Sequence, residues 1–126
     1  MTNQEDFAVV IGISRYPQLT NLTAAVNDAR EVASWLVDPV GGAVPSENVQ
    51  LIVSDEGRTP EEEAARPNRE DVDQAFEKFV KLSGRDAERI GRRLYTYMTG
   101  HGYATNSDDV VLLVANASED SLGTPR

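Results

Sequence analysis

The 126-residue sequence contains no cysteine, one histidine and one tryptophan. Without cysteine these residues form no disulfide and no thiolate metal site, and they carry no thiol nucleophile of their own. Cations are also scarce: 12 Lys+Arg stand against 21 Asp+Glu, a formal net charge of −9. Such a chain has no surplus of cations to displace counterions from phosphates, so nucleic acid is excluded as an expected partner. An anionic membrane surface is excluded on the same ground. No apolar run approaches the roughly 20 residues that cross a bilayer. The start, Met1 to Asp6, is polar and acidic rather than basic and apolar as in a signal peptide. A cytoplasmic protein is the expectation. Missing too are a Gly-x-Gly-x-x-Gly loop and a Gly-Lys-Ser/Thr turn after a strand, so nucleotide binding has no support.

What remains is ordinary for one globular domain with a sizeable core: 40% hydrophobic and 26% charged residues. Phe7 to Ser14 is a continuous apolar run with four β-branched residues, the habit of a strand buried on both faces of an α/β sheet. Apolar positions 25, 26, 29, 32, 33 and 36 recur at helical spacing over about 23–37, and Pro39 with Gly41-Gly42 stops that helix. Val49 to Val53 reads as a second strand. Residues 55–68, with Glu61-Glu62-Glu63 and prolines at 60 and 67, read as an exposed, flexible loop. Asn68 with Asp71 resembles a capping box before a helix whose stripe is Val72, Ala75, Phe76, Phe79 and Val80, ending near Ser83-Gly84. Residues 92–99 and 110–115 read as third and fourth strands, and 116–126 as a flexible tail. The order β-α-β-α-β-β predicts an α/β fold with a mainly parallel sheet, right-handed crossovers and helices on both faces. Ligands then bind beyond the carboxyl ends of the strands, which singles out residues 14–27 and 99–107.

His101 sits directly after the third strand, within Thr99-Gly100-His101-Gly102. Flanking glycines let the backbone approach a substrate, and histidine is suited to take and return a proton near neutral pH. The Gly102 N–H would also be available to a developing oxyanion. The competing reading is a surface histidine in a tight turn. Asp28, near the start of the first helix, suits the helix dipole; it also suits a pocket for a cationic side chain. Arg15 reads as a solvated loop residue or as a partner for an acidic group. Asp108-Asp109 offers oxygens to Ca²⁺ but falls far short of a coordination set, and no metal or other cofactor is expected.

Taken together, these segments resemble the N-terminal half of a caspase-like cysteine peptidase, closest to the metacaspases and their bacterial relatives. Ala8 to Ile13 with Tyr16, then Leu22 to Ala29, then the Val49 to Val53 strand with its acidic loop and helix carry the likeness. Tyr97-Met98-Thr99-Gly100-His101-Gly102 completes it, resembling the family's catalytic Ser-Gly-His-Gly segment. The resemblance implies a three-layer sandwich with about four strands here. It implies His101 as the catalytic histidine and Gly102 as an oxyanion donor. Asp28 matches a residue that recognises Arg or Lys before the scissile bond, although animal caspases, which cleave after Asp, also carry an Asp near this point. Thr99 departs from the usual Ser but keeps a hydroxyl.

The family's nucleophilic cysteine follows the next strand, beyond residue 126. Residues 1–126 are therefore expected to be the large-subunit half of one caspase-like domain, partnered by a small subunit that brings the cysteine and the remaining strands. Arg126, in a Gly-Thr-Pro-Arg stretch, is the expected processing site. The implied activity is an endopeptidase that cleaves protein or peptide substrates after basic residues, Arg favoured. Two other readings stay open: a non-catalytic caspase-like interaction module, and a small α/β ligand-binding domain.

Overall fold

An apolar run without polar alternation has no face to offer water, and the first such run lies where both faces are covered. In a computed structural model, which describes residues 4–17, 19–54, 66–82, 91–104, 110–115 and 117, strand β1 (Asp6–Gly12) is buried along all 7 residues. It is the middle strand of a parallel sheet, flanked by β2 (Val49–Val53) and β3 (Arg93–Thr99) in the order β2-β1-β3. Val10 faces Leu51 on one side and Tyr97 on the other.

Side chains alternate across a strand, and β1 divides its residues between two cores. Phe7, Val9 and Ile11 pack with Ile13, Tyr16 and Phe79, joined by Val72 and Phe76 of helix α2 (Arg69–Leu82). Ala8 and Val10 pack with Ala29 and Leu36 of helix α1 (Ala25–Val37) and with Val44. The Phe7 and Phe79 rings lie 5.1 Å apart, tilted by 59°. At Gly12 the strand touches α1 so closely that a Cβ would sit 2.5 Å from that of Ala29. Helices thus cover both faces of a mainly parallel sheet, the α/β arrangement that the alternation predicts.

The last apolar run departs from the expectation in detail. Of residues 110–115 only Val110–Leu112 is a strand, β5, and it pairs antiparallel with β4 (Gly102–Ala104), outside the parallel sheet. The connection explains this. Only residues 100–109 separate β3 from β5, whereas a parallel crossover takes about a dozen residues or more. A hairpin is what the length permits. The sheet edge therefore falls at β3, which among the described residues has β1 alone as neighbour. Leu94 and Met98 on its α2 side are 38% and 44% exposed.

Local chemistry fixes the element ends. Asn68 Oδ1 accepts the Asp71 N–H at 3.0 Å, and Asp71 Oδ2 accepts the Asn68 N–H at 2.9 Å, a reciprocal cap for α2. Helix α1 begins after Ala24, which has no capping side chain. Ser14 supplies the missing acceptor from across the loop, its Oγ 3.1 Å from the Val26 N–H. At the amino end of the sheet, the buried Asp6 carboxylate takes two hydrogen bonds from Arg92, from Nε at 3.1 Å and Nη2 at 3.0 Å. That pairing raises the Arg92 pKa above its ordinary value.

The expected loop at 55–68 lies outside the described residues except at its end. There Pro67 is buried and its carbonyl accepts the Ala115 N–H at 2.8 Å. The expected tail, Asp108-Asp109 and Ser83-Gly84 also lie outside them, apart from the buried Ala117. Among the described residues, no helix is long and apolar enough to cross a membrane.

Candidate functional site

The loop after β1 is wound tightly by its own polar groups, and this brings it under the end of β3. Ile13 N–H donates to Thr99 O at 3.0 Å, carrying the β1–β3 pairing past the strand itself. Ser54 Oγ, buried beyond β2, accepts the Ser14 N–H at 2.9 Å and the Arg15 N–H at 3.2 Å. Asn21 Oδ1 accepts the Tyr16 N–H at 2.8 Å, and Leu22 N–H donates to Ser14 O at 2.8 Å. With the backbone N–H groups of residues 14, 15, 16 and 22 held this way, the described part of the loop forms a shelf facing His101.

His101 Nε2 lies 2.6 Å from the Thr20 carbonyl oxygen. A carbonyl oxygen only accepts, so the proton of a neutral ring resides on Nε2 and Nδ1 is left with its lone pair. The His101 N–H donates to the Tyr16 hydroxyl at 2.9 Å, and that hydroxyl donates to Leu113 O at 3.0 Å. The Tyr16 and His101 rings meet edge to face, 4.7 Å between centroids. Burial raises the Tyr16 pKa from its ordinary 10.0, with the His101 N–H pulling the other way. At neutral pH Tyr16 is therefore a neutral donor.

Gly102 opens β4 opposite Leu112. Leu113 N–H donates to His101 O at 2.9 Å, and antiparallel ladders alternate bonded with non-bonded pairs. The Gly102–Leu112 pair is thus of the non-bonded kind, and the Gly102 N–H is left outside the β4–β5 ladder. It lies one residue from an imidazole with a vacant lone pair.

Asp28 is exposed in the first turn of α1. It lines a cavity of about 290 Å³ with Glu31, Val32, Trp35 and Tyr97. Its neighbour Asn27 faces a different hollow of about 320 Å³, shared with Ser14, Arg15, Leu22, Thr23 and Val26. His101 lines neither of these hollows. Larger grooves, about 370 and 360 Å³, run along α2, the second shared with Gln50 and Ile52 of β2, and His101 lines neither. Among the described residues no three His, Asp or Glu side chains gather as a metal site would require. Arg126 lies outside the described residues.

Sequence reasoning passes over Thr20 and the role of Tyr16. Thr20 acts through its carbonyl, which every residue has, so no side-chain signal marks it. Tyr16 is marked only as part of the caspase-like likeness of the first strand and its loop, with no role attached.

The fold agrees with a family match. The model of the caspase domain covers residues 5–120 of this chain, which belongs to that family. A protein described as a probable protease, from a Desulfuromonadales bacterium, is 37% identical over 102 residues. The match takes in 78% of this chain and 12% of that protein, so the chain spans a small part of its relative.

Proposed function

We propose that this chain is the histidine-bearing part of a caspase-like cysteine endopeptidase that cleaves after basic residues, Arg favoured. The observation that carries this reading is the His101 ring itself: Nε2 is committed to the Thr20 carbonyl at 2.6 Å, which makes Nδ1 the basic nitrogen. The 126 residues hold no cysteine, so the thiol comes from a further segment or subunit. The exposed flank of β3, with Leu94 and Met98, supports the docking of such a segment.

In this reading Nδ1 takes the thiol proton, and the thiolate attacks the scissile carbonyl carbon. The Gly102 N–H donates to the oxyanion that forms. The Thr20 carbonyl stabilises the imidazolium, which then gives its proton to the leaving amine, and water releases the acyl group. Asp28 offers a carboxylate to the substrate guanidinium, and the aromatic walls formed by Trp35 and Tyr97 suit a cation as well. Cleavage of arginine-containing fluorogenic peptides by the full-length protein, with and without His101→Ala, tests the reading. Loss of cleavage in the variant supports it, and undiminished cleavage overturns it. The absence of cysteine also suits a non-catalytic caspase-like module, for which the full-length protein would cleave none of these peptides.

A further inference from the structure

We infer that Tyr16 is a positioning residue for His101, holding it through the backbone N–H; the inference rests on the reading of His101 as the base. Tyr16 is 1% exposed, and its hydroxyl uses both of its capacities. It accepts the His101 N–H at 2.9 Å and donates to Leu113 O at 3.0 Å. Three distant stretches of chain therefore meet at one oxygen: the loop after β1, the end of β3 and the segment leaving β5. The ring adds an edge contact to the imidazole, at 64° between planes.

Gly100 supports the same point from the other side. A Cβ there would lie 2.6 Å from the Tyr16 hydroxyl. The glycine before the histidine is therefore required by the tyrosine, whatever the substrate also demands. The loop that carries Tyr16 also carries the Thr20 carbonyl. Leu19 N–H donates to Tyr16 O at 3.3 Å, so a hydrogen-bonded turn links the residue that carries the phenol to the segment that carries the acceptor of the imidazole. Tyr16 thus fixes the height of His101 over the carbonyl that selects its tautomer. An interior tyrosine serving packing alone would need any one acceptor; this one also receives the N–H of the histidine. Raised by burial above 10.0, its pKa keeps the proton on the phenol throughout the neutral range.

The test uses the full-length protein carrying ¹⁵N-labelled histidine, with the His101 resonances identified by their loss in His101→Gln. The parent is expected to show one tautomer, protonated on Nε2, with a slowly exchanging ring proton. Tyr16→Phe keeps the ring and removes both hydrogen bonds. It should speed exchange of that proton by about tenfold or more and admit the Nδ1-protonated tautomer. On arginine peptides its kcat should fall about tenfold to hundredfold with KM within about twofold, as expected when a reacting group is misplaced rather than removed. Packing alone would lower Tm without changing the tautomer. A folded Tyr16→Phe protein with unaltered His101 resonances overturns the proposal. Should Tyr16→Phe not fold, Gly100→Ala displaces the same hydroxyl and should give the same resonance changes; their absence overturns it equally. Failure of the base reading shows separately, as undiminished cleavage by His101→Ala, and removes the catalytic meaning of the contact even where the resonances change.

Discussion

Asp6 and His101 stand at opposite ends of the parallel sheet, and their partners differ in kind. Asp6 is fully buried and meets Arg92 in a two-point side-chain pair, with Asn48 bonded to the Asp6 carbonyl at 3.0 Å. Charge answers charge there, and the geometry closes around it. His101 is half-buried, and each group that holds it, the Thr20 carbonyl and the Tyr16 hydroxyl, is neutral. A carboxylate–guanidinium pair of this kind leaves neither partner ready for proton transfer. A backbone carbonyl orients the imidazole without neutralising it and leaves one nitrogen uncommitted. The amino end of the sheet is built to hold, and the carboxyl end to hold one ring while sparing one atom.

The largest expected effect separates the two ends. His101→Ala should lower kcat/KM of the full-length protein on arginine peptides by about a thousandfold or more. Its Tm should move little, because the ring is surface-accessible. Arg92→Ala should do the reverse: cleavage per folded molecule is kept and Tm falls, since Asp6 is left buried without its cation. Paired kinetic and thermal measurements on the two variants check this. Loss of cleavage by both, at equal Tm, would break the contrast.

Ile11 lies on the strand that serves both ends and is completely buried. Ile11→Ala should cost about 2–5 kcal/mol by loss of burial and a cavity, read as a lowered urea midpoint. Smaller again is the effect at Asp28. If its carboxylate meets the substrate cation, Asp28→Asn should lower kcat/KM about tenfold on arginine peptides, the range of one charged hydrogen bond. Peptides with an uncharged residue in that place should be unaffected. Equal losses on both would remove Asp28 from specificity.

The contrast between the ends also marks what the sequence made legible. Unbroken apolarity from Phe7 to Ile13 shows a strand buried on both faces, and the Asn68/Asp71 spacing shows a reciprocal cap. Both are local patterns. His101 stands out because it follows a strand and sits between glycines. Asp6 does not, because its partner lies 86 residues away and an acid next to an apolar run looks like a strand end. Thr20 is invisible for a different reason: its contribution is main-chain. The run at 110–115 misleads because apolarity reports burial but not direction; the short connection from β3 is what decides antiparallel pairing.

The smallest expected effect lies in the pH dependence of stability, and it belongs to the carboxyl end. The Tyr16 pKa is raised in the folded state above its ordinary 10.0, chiefly by burial. The folded protein therefore binds this proton more tightly than the unfolded chain does. The resulting stability is fully present below pH 10.0 and is lost as pH climbs from there through the folded value. Tyr16→Phe has no proton to lose. Its stability should be offset from that of the parent by a constant amount up to that pH, and the gap should shrink above it. Urea midpoints across the alkaline range, alongside tyrosinate absorbance, read this directly. Arg92 supplies the control at the other end: a guanidinium ordinarily holds its proton beyond the range of a phenol, and the Asp6 pairing raises its pKa, so Arg92→Ala should run parallel to the parent through the window where Tyr16 titrates. Convergence of Arg92→Ala with the parent in that window, rather than of Tyr16→Phe, would assign the alkaline weakness to the ion pair instead of the phenol.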